Sequence, residues 1–396
     1  MSDFGLPRLR PRDLAAPVTR LIQAPLPKQN AARDERWKDT GSKPPRLTPG
    51  GLTSAGLDSL AVLAMRTASG RSAEREMEMV LEEARAALPM FDQAGWLTDP
   101  LSYHQRPAAP SPSSSPFEAL GQTWERLAFK SGYLPHPGEP GAERWHGYEA
   151  NREVIVRVLR HKQPAPWIVL LHGAFMGRLR TDAPVFHPVH LHHSLGYNVV
   201  MPVLPLHGRR SAPSGIVPRA LPSFNIMDNV HGIAQAAWDV RRVIAWIREQ
   251  DDQPVSLYGI SLGGYVSALT GALLGDQPAQ RIVAGIPAVD FPKIFLSQIP
   301  PRAVKTSWYD DYAHHVIQLH RAIAVLNLPA PHTPVDHLHL YAARHDRVLR
   351  PLQQATRLWQ HWGRPEVLWI DGGHIAAGRN KRVGRFVDHA LASGGL

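Results

Sequence analysis

Three residues far apart in the chain, Ser261, Asp346 and His374, have the types and surroundings that together make an activated nucleophile. Ser261 is the centre of Gly259-Ile260-Ser261-Leu262-Gly263. That pentad joins an apolar run, Val255-Ser256-Leu257-Tyr258, to a small-residue stretch, Gly264-Tyr265-Val266-Ser267-Ala268-Leu269. Glycines two positions either side of a serine permit a turn in which larger side chains would collide. The turn exposes the hydroxyl and aims the next amide at any oxyanion that forms beside it. Gly and Ser are common enough that the pentad decides nothing by itself, so its surroundings must. A serine hydroxyl is a poor nucleophile at neutral pH and needs a base at hydrogen-bond distance, for which imidazole has a suitable pKa. The base in turn needs a carboxylate to fix its tautomer and stabilise the imidazolium. The chemistry open to this set is attack on an acyl carbon.

The acid and the base both follow apolar runs. His337-Leu-His-Leu-Tyr341 reads as a strand and leads through Ala-Ala-Arg-His to Asp346, before Pro351. An Asp just past the C-terminal end of a strand lies on the edge where open α/β sheets place their sites. Val367-Leu-Trp-Ile370 leads to Asp371-Gly372-Gly373-His374, and two glycines let the loop carry His374 back over the sheet. Asp371 rivals Asp346 by proximity to His374, but three residues before the base in a short glycine turn it reads as a loop-capping group. Asp336 precedes its strand and is on the wrong edge. The plain alternatives are helix capping for Ser261 and His374, and a cap or surface charge for Asp346. For the oxyanion, the run Trp167-Ile-Val-Leu-Leu171 enters His172-Gly173-Ala174-Phe175-Met176-Gly177. The backbone amides of Leu262 and Ala174 are the expected donors, with Phe175 the fallback for the second. His172 reads as orienting this turn rather than as a base. The constellation calls for no cofactor and no metal.

The elements that must position these residues alternate. Residues 153–160, 167–171, 197–203, 255–258, 281–285, 337–341 and 367–370 read as strands, with helices over 228–250, after Ser261, and over 376–392. Val230, Ile233, Ala237, Val240, Ile244 and Ile247 recur at helical spacing as a core-facing stripe. The alternation predicts a mostly parallel sheet with helices on both faces. Upstream, 54–89 reads as two helices, the first ending near Gly70, the second starting at Ser72 and stopping at Pro89. Residues 106–116, rich in Pro and Ser, read as a linker. The expected organisation is a basic, Pro-rich tail (1–50), a helical extension and linker (51–116) that packs on the sheet domain, and that catalytic domain (117–396). Residues 208–220 and 291–336 are insertions beside the site, the second expected to form a short helical cap over Ser261.

With these residues in place the chain resembles the α/β-hydrolase superfamily, in its serine esterase and lipase-like branch. The match lies in the order strand, His-Gly turn, strand, helix, G-x-S-x-G, strand, insertion, strand-Asp, helix, strand-Gly-Gly-His, over about residues 120–396. The turn lacks the three glycines in a row found in some lipases. The resemblance implies an eight-stranded, mostly parallel sheet and an acyl-serine intermediate. The expected function is a serine hydrolase cleaving a carboxylic ester or thioester, with a small-molecule acyl substrate. The alternatives are an acyltransferase or peptidase using the same triad, and a silent hydrolase fold used for binding.

Composition narrows the field. The absence of cysteine excludes disulfides, thiolate metal sites and cysteine catalysis. No apolar run reaches the roughly 18 residues of a membrane helix, and a cytoplasmic protein is the simplest expectation. The net charge of +10 rests on Arg far more than Lys, and half of the excess lies in residues 1–50. Without aromatic-basic interleaving it does not imply a nucleic-acid partner. His187, His190, His192 and His193 place at most two rings on one helical face with no carboxylate nearby in sequence, which favours a solvated helix surface over a metal site. Arg209 and Arg210 suit either an anionic group or a structural ion pair. Trp308, Tyr309 and Tyr312 suit either an acyl pocket or cap packing.

Overall fold

The structure, a computed structural model, describes residues 37–45, 48–69, 73–211, 221–299, 304 and 306–392. The expectations for residues 1–36 of the tail and for 212–220 of the first insertion lie outside these. Contacts divide the chain into two units, residues 1–44 and 45–396. In the first, Trp37–Thr40 makes a turn closed by the Thr40 hydroxyl, which donates to the Trp37 carbonyl at 2.7 Å. The rest concerns the second.

Its core is one nine-stranded sheet in the order β1-β2-β3-β5-β4-β6-β7-β8-β9. The strands are β1 (Ser113–Ala119), β2 (Gln122–Lys130), β3 (Glu153–Leu159), β4 (Trp167–Leu171), β5 (Asn198–Pro202), β6 (Val255–Ile260), β7 (Ile282–Gly285), β8 (Leu338–Ala343) and β9 (Glu366–Ile370). The first four in spatial order, β1, β2, β3 and β5, pair antiparallel; from β5, which belongs to both sets, through to β9 every pairing is parallel. Every residue of β4, β5, β6, β7 and β8 is buried, as expected of strands covered on both faces. This is an α/β-hydrolase fold. From β4 the chain crosses to β5 on one side and later to β6 on the other, so the strand order reverses between β4 and β6. A crevice opens there at the carboxyl ends of the strands. Those two ends carry the His172-Gly173 turn and Ser261.

Two strands were not legible in the sequence. Ser113–Pro116, inside the stretch that composition marks as a linker, begins β1, so the sheet has nine strands rather than eight. A Pro is tolerated there because β1 is an edge. Leu120 and Gly121 both have positive φ, 53° and 70°, which makes the two-residue turn that joins β1 to β2.

Eight helices matter below: α1 (Pro49–Ser69), α2 (Ala73–Gln93), α3 (Ile226–Gln250), α4 (Leu262–Leu273), α5 (Phe291–Gln298), α6 (Tyr309–Leu319), α7 (His374–Ala377) and α8 (Lys381–Ala392). One face of the sheet packs against α2, α3, α4 and the 291–336 insertion, the other against α8 and residues such as Phe186 and Leu191. The helix read as stopping at Pro89 continues through it to Gln93. The proline removes one intrahelical bond, but the last turn buries Phe91 fully, edge-on to Trp96 with ring centroids 5.0 Å apart. The final helix is interrupted, α7 and α8 being separated by Gly378–Asn380.

Candidate active site

Ser261 follows the last residue of β6 with φ 52° and ψ −116°, a conformation that costs a non-glycine residue about 1–3 kcal/mol. The fold enforces it. The Ser261 amide donates to Gly285 O at 2.9 Å, and its carbonyl accepts from the amides of Tyr265 and Ala288 at 3.1 Å each. The flanking glycines have no room for a side chain: a Cβ on Gly259 would stand 2.0 Å from Gly263 O, and one on Gly263 1.8 Å from Leu171 O. Although Ser261 occupies the N-cap position of α4, its side chain makes no capping hydrogen bond. The hydroxyl faces His374 instead.

Ser261 Oγ lies 3.1 Å from His374 Nε2, and His374 Nδ1 lies 2.7 Å from Asp346 Oδ2. With Nδ1–H donating to the carboxylate, Nε2 is left as acceptor for the serine proton. Asp346 is held in turn by the Leu349 amide, which donates to its Oδ1 at 2.8 Å. Burial pulls the imidazole pKa down, but the charge and hydrogen bond of Asp346, with a further carboxylate at Asp58, raise it more, to a net value above 6.5. The rival acid Asp371 points elsewhere: its half-exposed carboxylate accepts from Arg344 at 3.0 Å.

The turn after β4 lies against the serine. A Cβ on Gly173 would be 3.4 Å from Ser261 Cβ. Leu262 is the first residue of α4, so its N–H has no intrahelical partner. Among the described residues neither the Ala174 nor the Phe175 amide meets an acceptor. Phe175 has φ 63° and its ring is exposed. His172 holds the turn. Its Nε2 accepts from the Leu204 amide at 3.0 Å, so its Nδ1–H donates to Gly173 O at 2.8 Å. Burial lowers its pKa to about 4 and keeps it neutral. At the far end of the turn the Gly177 amide donates to Asp182 Oδ1 at 2.9 Å, and Arg157 donates to Gly177 O at 2.7 Å.

The other sequence candidates separate. Arg210 is fully buried and bonds to Asp239, Val203 O and Asn151 O at 2.8 Å each, a structural pair, while Arg209 is exposed. Tyr312 is fully buried between Phe224 and Trp308, so it packs the insertion. Of the histidine cluster, His187, His190 and His193 are exposed, as expected of a solvated helix surface, and His192 is the exception. His192 is buried, bonds to Tyr197 O at 2.9 Å and stacks on His161 at 3.8 Å, and His190 meets a carboxylate from the far end of the chain, Asp388, at 3.0 Å. Among the described residues no three or more His, Asp or Glu side chains gather as a metal site would require. A groove of about 470 Å³ lined by Arg248, Asp251 and Pro254 lies at the start of β6, the opposite end of that strand from Ser261.

The 291–336 insertion leaves from the carboxyl end of β7 and is largely helical, but α6 packs against α2 and α3. The element on the acid and base loops is α1. Its Asp58, buried to 1% exposure, accepts from the His374 amide at 2.7 Å. The sequence reading missed this residue. Its one signal is that it is the only charge between Pro49 and Met65.

Comparison with known proteins adds lineage. A family model described as an uncharacterised protein family, UPF0227, matches residues 223–388. The chain is 34% identical to the uncharacterized proteins MT2702 and Rv2627c of two Mycobacterium tuberculosis strains, over 97% of its own length and 93% of theirs. Among solved structures it is similar to an acetyl xylan esterase from Paenibacillus sp. R4, with TM-score 0.49 and 14% identity over 78% of this chain and 94% of that one. No described helix is long and apolar enough to cross a membrane. The chain belongs to the same family as the two mycobacterial proteins.

Proposed function

We propose that this member of that family is a serine hydrolase that cleaves a carboxylic ester or thioester through an acyl-serine intermediate. The observation that carries the reading is the unbroken hydrogen-bond relay from Ser261 through His374 to Asp346, beginning on a serine held in strained backbone. A merely structural serine would have no need of that strain.

In this reading Ser261 Oγ attacks the acyl carbon as its proton passes to His374 Nε2. Asp346 stabilises the imidazolium without taking the proton. Negative charge on the former carbonyl oxygen falls to the amides of Leu262 and Ala174, with Phe175 as the alternative second donor. These donors are fixed before the reaction, so they cost no reorganisation as the charge develops. His374 then returns its proton to the departing alkoxide or thiolate. A water, deprotonated by the same imidazole, attacks the acyl-serine, and the acid leaves as Ser261 regains its proton. The fixed turn beside the serine also accounts for His172: a neutral ring that both donates and accepts ties the turn to the strand edge without adding charge.

The test is hydrolysis of p-nitrophenyl esters of graded acyl length. The wild type is expected to turn over at least one of them, and Ser261→Ala to lose a thousandfold or more while its thermal melt stays cooperative. Full activity in Ser261→Ala would end this reading.

A further inference from the structure

Asp58 is a buried carboxylate beside the relay that the mechanism above does not use. It comes from α1, more than 300 residues before the base, and both of its oxygens are engaged. Oδ2 accepts from the amides of His374 at 2.7 Å and Arg347 at 3.1 Å, and Oδ1 accepts from Ile375 at 3.2 Å. Arg347 follows the acid and His374 is the base. A single side chain therefore ties the β8 loop to the β9 loop at the two points that must stay in register.

The packing around it is equally close. A Cβ on Gly373 would stand 2.7 Å from Asp58 Oδ2 and 2.8 Å from Ser54 O, so the helix backbone lies directly on the base loop. About two helical turns before Asp58, a Cβ on Gly51 would stand 2.6 Å from the His345 ring, beside the acid. An Asp here is not a surface accident. Burying a carboxylate is costly unless it is hydrogen-bonded, and three amide donors supply that compensation.

We propose that Asp58 is a positioning residue: it clamps the Asp346 and His374 loops together, so that α1 completes the catalytic centre rather than decorating it. The inference rests on the serine-hydrolase reading of the site. Asp58 touches neither substrate nor reacting atoms, and acts through His374. It has a second consequence through charge. The charged groups facing His374 are Asp346 from the β8 loop and Asp58 from α1. Asp371, just before it, is paired with Arg344, and His345 and Arg347 flank the acid in sequence. Asp58 therefore adds to Asp346 in favouring the imidazolium. Removing its charge lowers the pKa of His374.

Positioning and charge are separated by Asp58→Asn and Asp58→Glu, each read in two ways. The first readout is the rate of Ser261 labelling by a fluorophosphonate as a function of pH, and the second is the pKa of His374 by NMR. Asp58→Asn keeps the size but offers only one accepting atom. It is expected to slow labelling tenfold to a hundredfold at alkaline pH, the scale of a displaced catalytic group. Its labelling midpoint and its His374 pKa should both move to lower pH. Asp58→Glu keeps the charge on a longer stem and is expected to slow labelling while leaving the midpoint near that of the wild type. A folded Asp58→Asn that labels at the wild-type rate with an unmoved His374 pKa overturns the proposal. If Asp58→Asn does not fold, Asp58→Glu decides: slowed labelling supports the clamp, and a wild-type rate overturns it. A wild type that takes no label would instead sink the hydrolase reading, and the NMR pKa would still report whether Asp58 acts on His374.

Discussion

At the scale of single residues, electrostatics divides the carboxylates into roles that sequence distance alone confuses. Asp371 is nearest to His374 in the chain yet pairs with Arg344, while Asp346 meets the ring at 2.7 Å. Asp346→Asn is expected to lower ester turnover by roughly a hundredfold to ten-thousandfold, because the amide favours the wrong imidazole tautomer. Asp371→Asn should stay within about threefold of wild type, this being an exposed pair; steady-state turnover of both variants decides which acid serves the base. The pH dependence follows from the raised pKa of His374. In the proposed mechanism the base must be neutral to accept the serine proton, so activity is expected to rise with pH, with its acid limb centred above the ordinary imidazole value of about 6.5. A limb centred well below that value would mean that burial outweighs the two carboxylates. Ser261, Asp346 and His374 were legible because each follows an apolar run in the required order. Asp58 was not, because its role exists only once α1 has docked on loops far along the chain.

At the scale of elements, turns and strand ends do the positioning. The elbow works because β4, β6 and the start of α4 approach so closely that Gly263 has no space for a side chain. Gly263→Ala should therefore cost about 3 kcal/mol, the upper end of overpacking penalties, since a backbone carbonyl rather than a flexible side chain is in the way. A thermal melt within a degree or two of the wild type would contradict this tight junction. The same scale shows where pattern reading fails. The parallel strands announce themselves as continuous apolar runs, whereas β1 is a polar edge strand, Ser-Ser-Ser-Pro-Phe-Glu-Ala, in which nothing but pairing to β2 distinguishes strand from linker. Pro89 misled for a related reason: the local rule against proline in a helix is outweighed by the burial of Phe91.

At the scale of the whole molecule, the 45–396 unit is one sheet whose crevice, at the reversal of strand order, collects residues from nearly every part of the chain. Its framework includes a wholly buried ion pair, Arg210 with Asp239, which ties the loop after β5 to α3. Asp239→Leu would leave the Arg210 charge buried and unpaired, and should cost about 3–5 kcal/mol by denaturant or thermal unfolding. A neutral effect would mean that water reaches the guanidinium. The central claim concerns one oxygen atom, and the most direct test is to treat the full chain with a fluorophosphonate, digest it and locate the adduct by mass spectrometry. The account predicts a single stoichiometric adduct on Ser261, absent when the protein is first denatured and strongly reduced in His374→Ala. An untouched Ser261, or an adduct that survives denaturation beforehand, would contradict it.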